Sequence, residues 1–158
     1  MFHQLKIVLI SFSHFLLSIP YIIFKNTNLN NRSKVFLQPP KFIFSIAWTI
    51  LYILFGIINL KILYNHNLSN NKKINIINQS ITESLLHWLW LLVNSNFINN
   101  NYYSKFISTF ILSYIVYYSF IRANYINKID KFLHTLYIPY KLWIFFAFYL
   151  EILYLFKN

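Results

Sequence analysis

Long uncharged runs decide what this chain can become. Residues 7–24 hold no charge between Lys6 and Lys25, and residues 42–60 hold none between Lys41 and Lys61. Residues 74–97 are broken only by Glu83. Residues 102–121 have Lys105 near their start and Arg122 closing them, and residues 132–156 contain Lys141 and Glu151. A helix needs about 20 largely apolar residues to cross the hydrocarbon core of a bilayer. The runs predict an all-α integral membrane protein: five transmembrane helices, over residues 6–24, 41–64, 74–97, 102–122 and 132–156. The polar connections are mostly short, so successive helices should be antiparallel neighbours in one bundle. A single domain over residues 1–158 is expected.

Composition closes off the other classes. The chain is 58% hydrophobic and 11% charged, where soluble domains carry roughly a quarter charged residues. A β-barrel would need shorter segments that alternate apolar with polar, and residues 111–120 show no such alternation. The first run could be read as a signal peptide, but no small-residue cleavage site follows it. With no Cys, disulfides and thiolate chemistry are excluded. A net charge of +11 would suit nucleic acid only if it gathered on a soluble face. Here the basic residues punctuate apolar runs, so a lipid bilayer and not nucleic acid is the expected partner. Orientation stays open: Lys6, Lys61, Lys72, Lys73, Arg122, Lys128 and Lys131 fall on one side, against Lys25, Arg32, Lys34, Lys41, Lys105 and Lys157 on the other.

Polar groups at membrane depth are costly and mark interior packing or a site. Glu83, His87, Trp90 and Asn94 recur at helical spacing and share one face. Trp48, Tyr52, Phe55 and Asn59 make a matching stripe. Trp143, Ala147, Leu150 and Tyr154 make a third, flanked by Tyr140 and Glu151, and the first run adds Ser11, His14 and Ser18. Facing inward, these stripes would enclose an aromatic cavity suited to a flat, largely apolar ligand. Interfacial anchoring and plain packing are the other readings of the same rings.

Lys141 would meet Glu83 across the bundle or snorkel to the interface, since an unpaired charge at a helix centre costs about 2.5–3.5 kcal/mol. Glu151 lies near enough to the end of its helix to reach the interface. No two histidines share a ligand spacing on one helix, so no metal site is expected. No nucleophile elbow, P-loop or dinucleotide fingerprint occurs, and no catalytic residue is assigned.

The segment Pro39-Pro40-Lys41-Phe42-Ile43-Phe44-Ser45-Ile46-Ala47-Trp48-Thr49-Ile50-Leu51-Tyr52-Ile53-Leu54-Phe55-Gly56 resembles the second helix of the TspO/translocator protein family, the former peripheral benzodiazepine receptors. That family's helix reads P-P-x-W-V-F-G-P-x-W-T-x-L-Y-x-x-x-G. Leu85-Leu86-His87-Trp88-Leu89-Trp90 resembles its A-L-N-x-x-W stretch. Ile138-Pro139-Tyr140-Lys141-Leu142-Trp143-Ile144-Phe145-Phe146-Ala147 resembles its P-Y-x-x-W-x-x-F-A stretch. The resemblance implies five helices, a homodimer, and a cavity that binds porphyrins such as haem or protoporphyrin, or sterols, with no required cofactor. It places ligand contacts at Trp48, His87, Trp90, Trp143 and Ala147, and a lid around residues 32–40. Light-dependent porphyrin breakdown, known for some relatives, would fall on Trp48 and Trp143. Leu150, Tyr154 and Lys157 formally match the family's sterol motif, a weak pattern.

The departures bear on the ligand more than on the fold. His87 stands for the usual Asn, Leu91-Leu92 for a proline-containing turn, and Ser45-Ile46 for Gly-Pro. Lys141 stands at an apolar position and Glu151 at an Asn. The leading expectation is a receptor or carrier whose site comprises Trp48, Tyr52, Glu83, His87, Trp90, Tyr140, Trp143 and Ala147. The alternatives are a transporter with a relay through Glu83, His87 and Lys141, an enzyme acting on porphyrin, and a structural bundle with a degenerate cavity.

Overall fold

The computed structural model describes residues 9, 11–13, 16, 35–94 and 102–156. Four helices emerge in chain order: α1 (Lys41–Leu63), α2 (Asn70–Asn94), α3 (Tyr102–Asn127) and α4 (Lys131–Phe156). Three stretches are long and apolar enough to cross a membrane: Phe42–Leu63, Tyr102–Asn127 and Lys131–Phe156. The chain is therefore a multi-pass integral membrane protein, and its fold is all-α. The expected five-span bundle is corrected: among the described residues there are four helices and three candidate spans. Two things separate expectation from outcome. Most of the expected first span, residues 6–24, lies outside the described residues, although Leu9, Ser11, Ser13 and Leu16 are helical. And α2 begins earlier than expected, at Asn70, so its first turns carry Asn71, Lys72, Lys73 and Asn75, too polar for hydrocarbon.

Pairs of contacts fix the directions of the helices. Asn59 meets Ser80, while Trp48 meets Trp90, so α1 and α2 run antiparallel. Asn75 meets Tyr125 at the far end of α3. Phe44 meets Trp143 and the Lys61 ammonium lies over the Phe132 ring, so α1 and α4 are also antiparallel. The turns at residues 64–69 and 128–130 therefore share one end of the bundle.

Local chemistry sets the helix limits. Pro40, with φ −54° and ψ 146°, is the N-cap of α1, where a missing N–H leaves no helical bond unmade. Asp130 Oδ1 accepts from the backbone N–H groups of Phe132 and Leu133 at 2.8 and 3.2 Å, a side-chain cap that starts α4. Pro139 sits inside α4 and has no N–H to give the carbonyl of the preceding turn. Before α1, Leu37 takes a left-handed φ of 63°, and the Gln38 N–H closes the turn on the Val35 carbonyl at 3.2 Å.

The core draws on all four helices, with Ile76 and Trp90 contributed by α2. Phe55, Ile58, Leu112, Ile115, Tyr137 and Ile144 are buried there. Outward, Phe110, Leu142 and Phe145 expose 66%, 63% and 57% of their surface. So wide an apolar exterior is unfavourable in water and matched by lipid. α3 continues past its apolar run to Asn127 because Ser119, Arg122, Ala123 and Ile126 keep one face buried. Gly56 allows a close approach: a Cβ there would run into Cδ1 and Cε1 of the Phe12 ring.

Candidate functional site

At the centre of the bundle lies an ion pair that water does not reach. Arg122 Nη1, from α3, donates to Glu83 Oε2, from α2, at 2.8 Å, and both side chains are 0% exposed. Two hydroxyls from α4 add to it: Tyr137 donates to Glu83 Oε1 at 3.0 Å, and Tyr140 to the same oxygen at 2.8 Å. Arg122 Nη2 donates to Asn59 Oδ1 on α1 at 2.7 Å. Asn59 then spends both amide hydrogens, on Ser80 Oγ at 2.7 Å and on the Ser11 carbonyl at 3.0 Å. The guanidinium lies over Phe55, 3.9 Å from the ring centroid, a cation–π contact that is strong when desolvated. Four helices thus supply one connected polar network, the only economical way to hold charge at such depth.

A box of rings adjoins the network. Trp48 stands at its middle, with Tyr52 at 5.4 Å, His87 at 5.2 Å, Trp90 at 5.9 Å and Trp143 at 6.4 Å between ring centroids. Phe44 packs edge-on to Trp143 at 5.2 Å. These separations are direct aromatic contact. Network and box join at one bond, His87 Nε2 to Tyr140 Oη at 2.8 Å. Two buried donors in the box, the indole N–H groups of Trp90 and Trp143, have no acceptor among the described residues. Such groups are costly in a closed interior and natural where a ligand supplies the acceptor.

The residues singled out from sequence gather here unevenly. Trp48, Tyr52, His87, Trp90 and Trp143 form the box, and Tyr140 and Glu83 stand behind it. Ala147 is buried in the core on the α4 face that also carries Ile144. Lys141 does not meet Glu83. Its ammonium lies 4.7 Å from the centroid of the Phe120 ring, and Arg122 takes the place expected for it. Glu151, expected at the interface, is buried at 5% exposure, because it continues the inward face of Ile144 and Ala147. Leu150 is buried too, Tyr154 is half-buried, and Lys157 lies outside the described residues. Ser11 is buried, His14 and Ser18 lie outside, and of the expected lid only residues 35–40 are described.

Sequence reasoning missed Arg122 and Tyr137. Arg122 reads as the charge that closes an apolar run. The available signal was its helical spacing from Ile115, Ser119 and Ile126, together with an acid in α2 that required a base.

Set beside known protein families, residues 7–156 match the model of the TspO/MBR family. No curated protein matches the chain.

Proposed function

This chain belongs to the TspO/MBR family, and we propose that it is a membrane receptor or carrier for a flat, largely apolar ligand, a porphyrin or a sterol-like molecule, held among the rings around Trp48. Tyr52, His87, Trp90 and Trp143 line that region, Tyr140 and Glu83 orient it from behind, and Ala147 belongs to the proposed site through the family resemblance. The observation that carries the reading is the pair of buried indole donors on Trp90 and Trp143 without an acceptor among the described residues, set in a wall of stacking surfaces. A porphyrin offers a face for those rings and carboxylates for those donors. Family membership supports the same ligand class, and a homodimer in the bilayer belongs to the proposal.

Titration of the detergent-solubilised protein with protoporphyrin IX, followed by tryptophan quenching, tests it. Saturable binding is expected. Trp143→Ala should weaken it about tenfold, the worth of one lost aromatic contact with its share of burial. Flat or non-saturable quenching overturns the proposal.

The buried ion pair favours a second reading, transport coupled to a relay. Intramembrane charges commonly mark such paths. On this geometry the relay would run through Arg122, Glu83, Tyr140 and His87, with Lys141 outside it. Replacing Glu83 and Arg122 together by Gln would then abolish transport.

A further inference from the structure

Glu83 is ringed by donors. Arg122 Nη1 lies 2.8 Å from Oε2, Tyr137 Oη lies 3.0 and 3.2 Å from the two oxygens, and Tyr140 Oη lies 2.8 Å from Oε1. An ionised carboxylate only accepts hydrogen bonds, and it is the form that matches three donors with a guanidinium among them. Tyr140 has one hydroxyl proton, and Glu83 takes it. What remains on Tyr140 Oη is lone-pair density, and His87 Nε2 sits 2.8 Å from it. That contact is a hydrogen bond only when Nε2 carries a proton.

The second ring nitrogen follows from charge. His87 is 2% exposed, and the carboxylate nearest to it along this chain of bonds is already matched by Arg122. Burial of the ring disfavours the charged imidazolium. A neutral imidazole has a single N–H, and Tyr140 receives it.

We propose that Glu83 and Tyr140 are positioning residues that hold His87 of the ring box as the neutral Nε2–H tautomer, with Nδ1 as its acceptor nitrogen. The inference draws on the ligand reading only in giving His87 a ligand to meet, because the chain of bonds is made by the protein's own side chains. One consequence is directional: any hydrogen bond made at Nδ1 is one that His87 accepts. A second is rigidity, since the ring that stands edge-on to Trp48 is held from α4 through a hydroxyl whose own direction is set by a buried carboxylate. Fixing a tautomer through the partner of the other nitrogen is a general device for tuning histidine.

Nitrogen-15 NMR of histidine-labelled protein in lipid bilayers, without ligand, tests this. The five histidines are told apart by the signals lost in His87→Asn. The expected spectrum has a protonated Nε2 and an unprotonated Nδ1 for His87. Tyr140→Phe should lose that Nε2–H preference and give a mixture of tautomers. Tyr137→Phe removes another hydroxyl from Glu83 without touching His87, and it should leave the tautomer as it is. An Nδ1–H tautomer or a doubly protonated ring in the parent protein overturns the proposal, as does an unchanged tautomer in Tyr140→Phe. Should Tyr140→Phe not fold, the parent spectrum decides alone. A failed porphyrin titration with the expected spectrum would sink the ligand reading and spare this one, and the reverse pair of results would do the opposite.

Discussion

Arg122 shows how much one side chain can organise. It bridges Glu83 and Asn59 and covers the Phe55 ring, so its removal leaves a carboxylate, an amide oxygen and an aromatic face without their partner. Arg122→Met should destabilise the protein by about 3–5 kcal/mol, the cost of stranding a buried charge, read as a lower thermal midpoint in detergent. Adding Glu83→Gln removes the stranded charge, and the double variant should recover most of the loss. A double variant no better than the single one would show that the ion pair itself, and not the orphaned carboxylate, carries the stability. At this scale the sequence was half legible. Glu83, His87 and Trp90 stand out because polar and aromatic residues recur on one helical face. Their partner did not, because an arginine at the end of an apolar run looks the same whether its side chain turns out to water or inward. Lys141 was the more visible base, yet it sits over an aromatic ring instead.

Among the helices, α1 and α4 were the most legible, with boundaries within a residue of expectation. Apolar length, a proline N-cap and an aspartate cap are local signals, and they act where they are written. α2 and the end of α3 depended on neighbours. The polar start of α2 is helical beside α3, as the Asn75–Tyr125 hydrogen bond at 3.1 Å illustrates. The extension of α3 follows from the inward turn of Arg122. Gly56 carries the element-scale prediction. Its missing side chain admits the Phe12 ring, so Gly56→Ala should cost about 1–3 kcal/mol by overpacking. Combining it with Phe12→Ala should restore most of that stability, measured by the same thermal assay. An unaffected Gly56→Ala would mean that the ring swings aside at no cost.

Across the whole molecule the antiparallel order makes a topological statement. The turns at residues 64–69 and 128–130 lie at one end, and the turn carrying Phe36, which is 76% exposed, leads into α1 at the other. The chain has no Cys, so single cysteines report cleanly. Asn67→Cys and Lys128→Cys should react with a membrane-impermeant maleimide from the same side of sealed vesicles, and Phe36→Cys from the opposite side. Labelling of Asn67→Cys and Lys128→Cys from opposite sides would contradict the bundle. The contacts around Trp48 have a consequence for kinetics. On the proposed ligand reading, rings already touching at 5.2 to 6.4 Å must separate before anything flat can lie between them, and the binding-competent state would then be a minor population. Apparent affinity is then the intrinsic affinity scaled by that population. Removing a ring that only braces the closed state should raise both association rate and affinity: Phe44→Ala, which frees the edge of Trp143, should bind protoporphyrin faster and more tightly in stopped-flow quenching. A protein of this kind would have its affinity set less by what touches the ligand than by how firmly its own aromatic rings hold one another.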